Sequence, residues 1–297
     1  MKSPLISGNR TVEDILREHL KEQCDAAAKP APRARGNPPS PAVSPAPSPR
    51  VPSTATSLAD YIKLENISCV DADSNEFERY GELYIKKEVE KDAAGQLLKV
   101  TPYAAIHHCE QFGFLPSAAL MANIHVAIYR AAVEHQPDGT YRTKNAELEQ
   151  MLQKLKNRGD NIGGHWVNTL VDWRALKIIH YPQDADFPSH GDTAGINGSH
   201  PQKVFSFDKN SFADMKLADA LKIPNYKRYL QNYSGLPDPA ILLEVAHYYQ
   251  ETARSWVSTS QEVRAAWLGC YQVNFYLYAN DNLNDTNAAR GVRLGMP

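Results

Sequence analysis

Ser255–Gly295 reads SWVSTSQEVRAAWLGCYQVNFYLYANDNLNDTNAARGVRLG, and it decides how the rest of the chain is read. It carries Trp256 and Trp267 and divides into three apolar or aromatic segments separated by polar turns, the pattern of short β-strands. In VNFYLYAND, Val273, Phe275 and Leu277 alternate with Asn274, Tyr276 and Tyr278. One face should pack while the other presents polar and aromatic groups. Asn280, Asp281, Asn282, Asn284, Asp285 and Asn287 then form a turn of short amides and carboxylates. Tyr and Asn make adaptable contacts at low entropic cost, and loops on a rigid scaffold commonly carry binding sites. The expected binding residues are therefore Trp256, Tyr271, Asn274, Tyr276, Tyr278, Asn280, Asp281, Asn282, Asn284 and Asp285. A plainer reading makes NDNLND a turn fastened by capping side chains. Trp256, Trp267 and the ARGVRL segment also suit a scaffold, because they can bury large apolar area.

Upstream, three regions follow from composition. Residues 1–24 contain TVEDILREHLKEQ (Thr11–Gln23), an amphipathic helix with Val12, Ile15, Leu16 and Leu20 on one face. Thirteen residues are marginal for an isolated helix, so this segment either frays or docks on a partner or a second copy. Residues 25–57 form a Pro-rich linker from which disorder is expected, since such a chain favours extended conformations and cannot build a core. Residues 58–297 are read as one globular α+β domain.

Hydrophobic residues make up 42% of the chain and charged residues 22%, ordinary for a globular protein. A net charge of -2 gives no global electrostatic case for nucleic acid or an anionic membrane. No apolar run reaches the roughly 18–20 residues of a membrane span, and MKSPLISGNR has no secretory h-region. The expected location is cytoplasmic. Cys24, Cys69, Cys109 and Cys270 are scattered without a CxxC pair, so they are read as reduced thiols.

Within the globular part, Asp60–Asp71 and Glu82–Val89 suggest a hairpin across DADSNE. Thr101-Pro102 opens a helix that stops at Gly113, and Ser117 caps a second helix, AALMANIHVAIYRAAVE. Ala146–Arg158, Ser211–Leu221, Asn225–Tyr233 and the run from Pro239 also read as helices; Trp166–Trp173 and Leu176–Tyr181 read as strands. His107, His108 and His125 lack carboxylates at ligand spacing and are read as structural or solvent-facing. The better metal candidate is HYPQDADFPSHGD, with His180, Asp184, Asp186, His190 and Asp192. Its oxygen-rich part suits Ca²⁺ or Mg²⁺, and its histidines suit a transition metal. It lacks the EF-hand glycine and terminal Glu, and it lacks HExxH. No other cofactor is expected: GxGxxG and GxxxxGK[ST] are absent, as is any nucleophile elbow.

In order, the chain shows GFLPS (Gly113–Ser117) before a helix, WVST at Trp256–Thr259, Ala266-Trp267, and RGVR at Arg290–Arg293. This sequence of elements resembles the C-type-lectin-like domains of prokaryotes, in the branch that includes formylglycine-generating-enzyme-like (sulfatase-modifying) modules. The tail from Val273 is similar to the variable repeat of diversity-generating-retroelement target proteins. The resemblance covers about Leu97–Gly295 and implies a lectin-like core that serves as a receptor surface. The paired cysteines of the formylglycine-forming enzymes are absent, so that activity is not implied. The acidic element expected after LPS is also missing, since Ala118, Ala119, Leu120 and Met121 stand there. The expectation is a non-enzymatic module that binds a protein or other macromolecular ligand through its Tyr/Asn-rich C-terminal surface. The alternatives are a metal-dependent enzyme or metal-binding module at His180–Asp192, or a structural protein.

Overall fold

A computed structural model describes residues 58–89, 91–92, 95–110, 113–156, 164–182, 202–208, 212–258, 261–271, 273–283 and 285–294. The predicted Thr11–Gln23 helix and the Pro-rich linker lie outside the described residues.

The fold is α+β. After a 3-10 turn at Leu58–Asp60 come β1 (Tyr61–Val70), β2 (Glu76–Lys86), α1 (Pro102–Glu110), α2 (Ala118–Ala132), β3 (Val133–His135), β4 (Tyr141–Thr143) and α3 (Ala146–Lys156). There follow β5 (His165–Asp172), β6 (Lys177–His180), β7 (Lys203–Ser206), β8 (Met215–Lys216), α4 (Leu217–Ala220), α5 (Pro224–Ser234) and α6 (Ile241–Tyr248). The last elements are β9 (Thr252–Val257), β10 (Val263–Tyr271), β11 (Asn274–Asp281) and β12 (Val292–Arg293). Strands order as β7-β6-β5-β10-β11-β9-β8 in the main sheet and β1-β2-β12 in a second, with β3-β4 as a ribbon. Among the described strands, β9 and β11 pair in parallel and the other strand pairs are antiparallel.

Helix α2 is the centre of the core. Only Asn123, Ala127, Arg130 and Ala131 escape burial along it. A helix apolar on nearly all sides belongs in an interior. Each buried Leu or Ile there contributes roughly 1.5–3 kcal/mol relative to exposure. Its first turn is held by an unusual cap. Ser117 Oγ accepts from Leu120 N at 3.0 Å and donates to Glu78 Oε2 at 2.8 Å. Tyr80 donates to the other oxygen, Oε1, at 2.8 Å. Glu78 is buried on β2, so the carboxylate at this cap comes from a distant strand. An anion near a helix N-terminus is favoured by the peptide dipoles.

A second buried chain of bonds runs beside it. Ala118 N donates to Thr169 Oγ1 at 2.8 Å, Thr169 Oγ1 lies 2.8 Å from His180 Nδ1, and His180 Nε2 lies 2.9 Å from the Asn232 carbonyl. A carbonyl only accepts, so the His180 proton sits on Nε2 and the Thr169 hydroxyl donates to Nδ1. Burial pushes this imidazole down to about 4, so it is neutral.

Several boundaries differ from the sequence reading. Strand β2 begins at Glu76, earlier than the predicted Glu82, because buried Glu78 disguises the apolar alternation. The predicted Ser211–Leu221 helix is the short strand β8 followed by the single turn α4. Helix α6 stops at Tyr248, and Gln250 turns into the left-handed region at φ 58 before β9 begins. Helix α5 ends at Gly235 with φ 61, where a Cβ would meet Ala119 Cβ at 2.7 Å and Cys69 Cβ at 2.9 Å. Glycine is therefore required both by conformation and by space. Cys69, Cys109 and Cys270 are buried and form no disulfide among the described residues, and Cys24 lies outside them. Among the described residues no helix is long and apolar enough to cross a membrane.

Candidate functional site

Strand register places Trp166 opposite Trp267, Trp267 opposite Tyr278, and Tyr278 opposite Trp256. Directly opposed residues share a face of a sheet, so these four aromatics form one row across β5, β10, β11 and β9. Trp267 and Tyr278 stack with centroids 4.5 Å apart, and Trp256 lies 5.4 Å from Tyr278. The row changes character along its length. Trp166 and Trp267 are buried, while Tyr278 and Trp256 are half-buried. The open end is therefore at β9.

The opposite face of β11 carries Phe275, Leu277 and Ala279, all buried. Phe275 packs against His125 of α2 and Tyr249, at 5.5 and 5.9 Å. The Tyr233 hydroxyl donates to the Tyr278 carbonyl at 2.8 Å, and Trp173 Nε1 donates to the Ala279 carbonyl at 2.8 Å. These bonds fasten the strand from behind and fix the aromatic row in front. Tyr233 and Trp173 were not singled out as site residues, and no local pattern marks them.

Two glycines make the row possible. Gly164 has φ +79, and a Cβ on it would lie 2.2 Å from Trp267 Cε3. Gly269 faces it, and its own Cβ would meet Gly164 Cα at 2.6 Å. The two glycines let the backbones approach closely under the Trp267 indole. Gly164→Ala is expected to lower stability by about 2–4 kcal/mol, from positive φ plus the displaced ring. Urea denaturation followed by tryptophan fluorescence measures it, and a midpoint equal to wild type would contradict the argument.

The predicted binding residues divide. Trp256, Asn274, Tyr278, Asn280 and Asp281 are half-buried at the surface, and Tyr271, Asn282 and Asp285 are exposed. Asn284 lies outside the described residues. Tyr276 needs correction: it is buried, because it lies between Trp256 and Trp267 at 5.6 and 5.8 Å, and Asn274 Nδ2 donates to its hydroxyl at 3.1 Å. Val273 also needs correction. It was assigned to the packing face but is 71% exposed, because it sits in the turn before β11 begins. Asn282 and Asp285 fasten their own turn: Asn282 N and Nδ2 donate to Asp285 Oδ2 at 3.0 and 3.2 Å. For these two the plainer reading of NDNLND holds. Arg264 Nη1 also donates to Asn282 Oδ1.

Asp281 marks the end of the row. Burial, then the nearby Asp285 charge, pushes its carboxyl up to about 6, although the Trp267 and Tyr278 side chains hydrogen-bond to it. Burial raises the Tyr278 phenol as well, so it stays protonated and able to donate.

Of the metal candidates, Asp184, Asp186, His190 and Asp192 lie outside the described residues. His180 does not serve as the sequence suggested, since both ring nitrogens are engaged inside the core. Among the described residues no three His, Cys, Asp or Glu side chains are grouped to hold a metal ion. No protein-family model, curated protein or solved structure matches the chain.

Proposed function

We propose that this protein is a lectin-like binding module whose contact surface is the open end of the aromatic row with the Asn280–Asp281 end of β11. The observation that carries the reading is the row itself, buried at Trp166 and half-exposed at Tyr278 and Trp256. Rigid, half-exposed aromatics on a fastened sheet supply contact area at low entropic cost. Exposed Tyr271 and Val273 add apolar surface at the turn, and Asn280 and Asp281, at the other end of β11, add polar groups next to Tyr278. The lectin-like assignment is supported by the placement of the elements behind the resemblance. GFLPS leads into α2, Trp256 lies on β9, Ala266-Trp267 on β10, and Arg290–Arg293 runs into β12, in the same order.

The test is binding of the purified protein to arrays of oligosaccharides and peptides, followed by titration of each hit. Trp256→Ala and Tyr278→Ala are each expected to weaken binding by about 2 kcal/mol or more, the usual weight of a central aromatic contact. Undiminished binding in both folded variants would remove the basis for this surface.

A further inference from the structure

A cleft of about 580 Å³ opens between β1, α2 and the α5–α6 connection. Its volume falls within the roughly 300–1,000 Å³ of small-ligand sites. None of its lining residues belongs to β9, β10 or β11, so it is separate from the surface proposed above. Its walls include apolar Ile67, Val126, Leu236 and Ile241. Asn123, Ala127 and Arg130 complete one wall, and they are three of the four positions that α2 leaves unburied.

The polar groups have a definite arrangement. Asn123 Nδ2 lies 2.9, 3.2 and 3.1 Å from the carbonyl oxygens of Ala119, Ser234 and Gly235. Carbonyls only accept, so the amide orientation is fixed, and among the described residues Oδ1 has no donor and stands on a residue that lines the cleft. Arg130 is exposed on the last turn of α2. Among the described residues its guanidinium has no ion pair or hydrogen bond. Among the described residues Glu244 receives only a long contact, from the Tyr129 hydroxyl at 3.5 Å. Asp238 accepts one bond, from Ala240 N at 3.2 Å. Among the described residues, a cation without an ion pair and two weakly engaged carboxylates thus border a partly apolar cleft.

We propose that this cleft binds a small zwitterion of amino-acid or dipeptide size. Arg130 receives the ligand carboxylate, for which its planar fork is suited. Glu244 and Asp238 receive the ammonium group, Asn123 Oδ1 accepts from an N–H of the ligand, and the side chain rests on Leu236 and Ile241.

Calorimetric titration of the full chain with the standard L-amino acids and with Ala-Ala tests this. At least one probe should bind, and its N-acetylated form should bind about ten-fold more weakly, a change of roughly 1.4 kcal/mol. Arg130→Gln and Glu244→Gln should each weaken that probe to a similar extent, and Ala127→Trp, which fills the cleft, should abolish binding. The two charge variants stand at exposed positions and carry the test if Ala127→Trp does not fold. The proposal is overturned if no probe binds at millimolar concentration. It is also overturned if the acetylated form binds equally well, or if neither charge variant weakens binding.

Discussion

Arg290→Ala is expected to destabilise the protein by about 3–5 kcal/mol, the scale for removing one partner of a buried charged network. The side chain is 1% exposed. Its Nη1 donates to the carbonyls of Lys86 and Lys87, each at 2.6 Å, and Nη2 reaches the Lys154 carbonyl at 3.4 Å. One guanidinium therefore joins the end of β2, the end of α3 and the approach to β12. Truncation removes that joint and leaves carbonyls without their donor. Arg290→Lys should recover only part of the loss, because an ammonium cannot reproduce a fork aimed at several acceptors. Urea denaturation at neutral pH measures both, and a loss below about 1 kcal/mol for the alanine variant would contradict this account.

Stability is expected to collapse on mild acidification. Burial holds His125 down at about 3, His180 at about 4 and His165 well below the ordinary imidazole value; the Arg290 charge adds to the effect at His125 and His165. His125 Nδ1 meets the Tyr249 hydroxyl at 3.1 Å, while His125 Nε2 and His165 Nδ1 have no hydrogen-bond partner among the described residues. Nothing there rewards a second proton. In the unfolded chain each titrates near pH 6.5. Their contribution is thus complete above pH 6.5 and falls as the pH drops from there toward the folded values. By pH 4.5 the loss is about 2–3 kcal/mol at each of His125 and His180, and His165 adds in the same direction. Asp281 acts in the opposite sense: its raised carboxyl favours the fold as pH falls from about 6 toward 3.8. It is one group against three. The urea midpoint should fall steeply between pH 7 and pH 5, and His125→Gln should lessen the slope by about 1.4 kcal/mol per pH unit. A flat stability profile over that range would overturn the argument.

Features set by local chemistry were legible in the sequence. Ser117 is the cap that its position before an apolar run implied. Strands β5 and β6, and the alternation of Phe275 and Leu277 with Tyr276 and Tyr278, followed from period and turn residues. Features created by distant residues were not legible. The carboxylate that completes the α2 cap comes from Glu78, 39 positions away from Ser117. Tyr276 read as a surface residue because alternation tells which face a side chain occupies, not which neighbours enclose it; Trp256 and Trp267 do so here. His180 read as a ligand beside acidic neighbours in sequence, yet its partners are Thr169 and Asn232 on other elements. The cleft was invisible for the same reason: Arg130, Asp238 and Glu244 share no motif and meet only through packing.

The pairing of β12 with β2 has a consequence for how the chain is made. Val292 pairs with Ile85, and the Arg290 bonds that lock this junction span 204 residues. A ribosome delivers β2 long before it delivers β12. Through most of synthesis the β2 edge that receives β12 has no strand to receive, and open strand edges invite pairing with other chains. Closure of so long a loop is also slow. Charged Glu76, Arg79 and Glu82 along β2 are the kind of residues that discourage such pairing while the last strand is awaited.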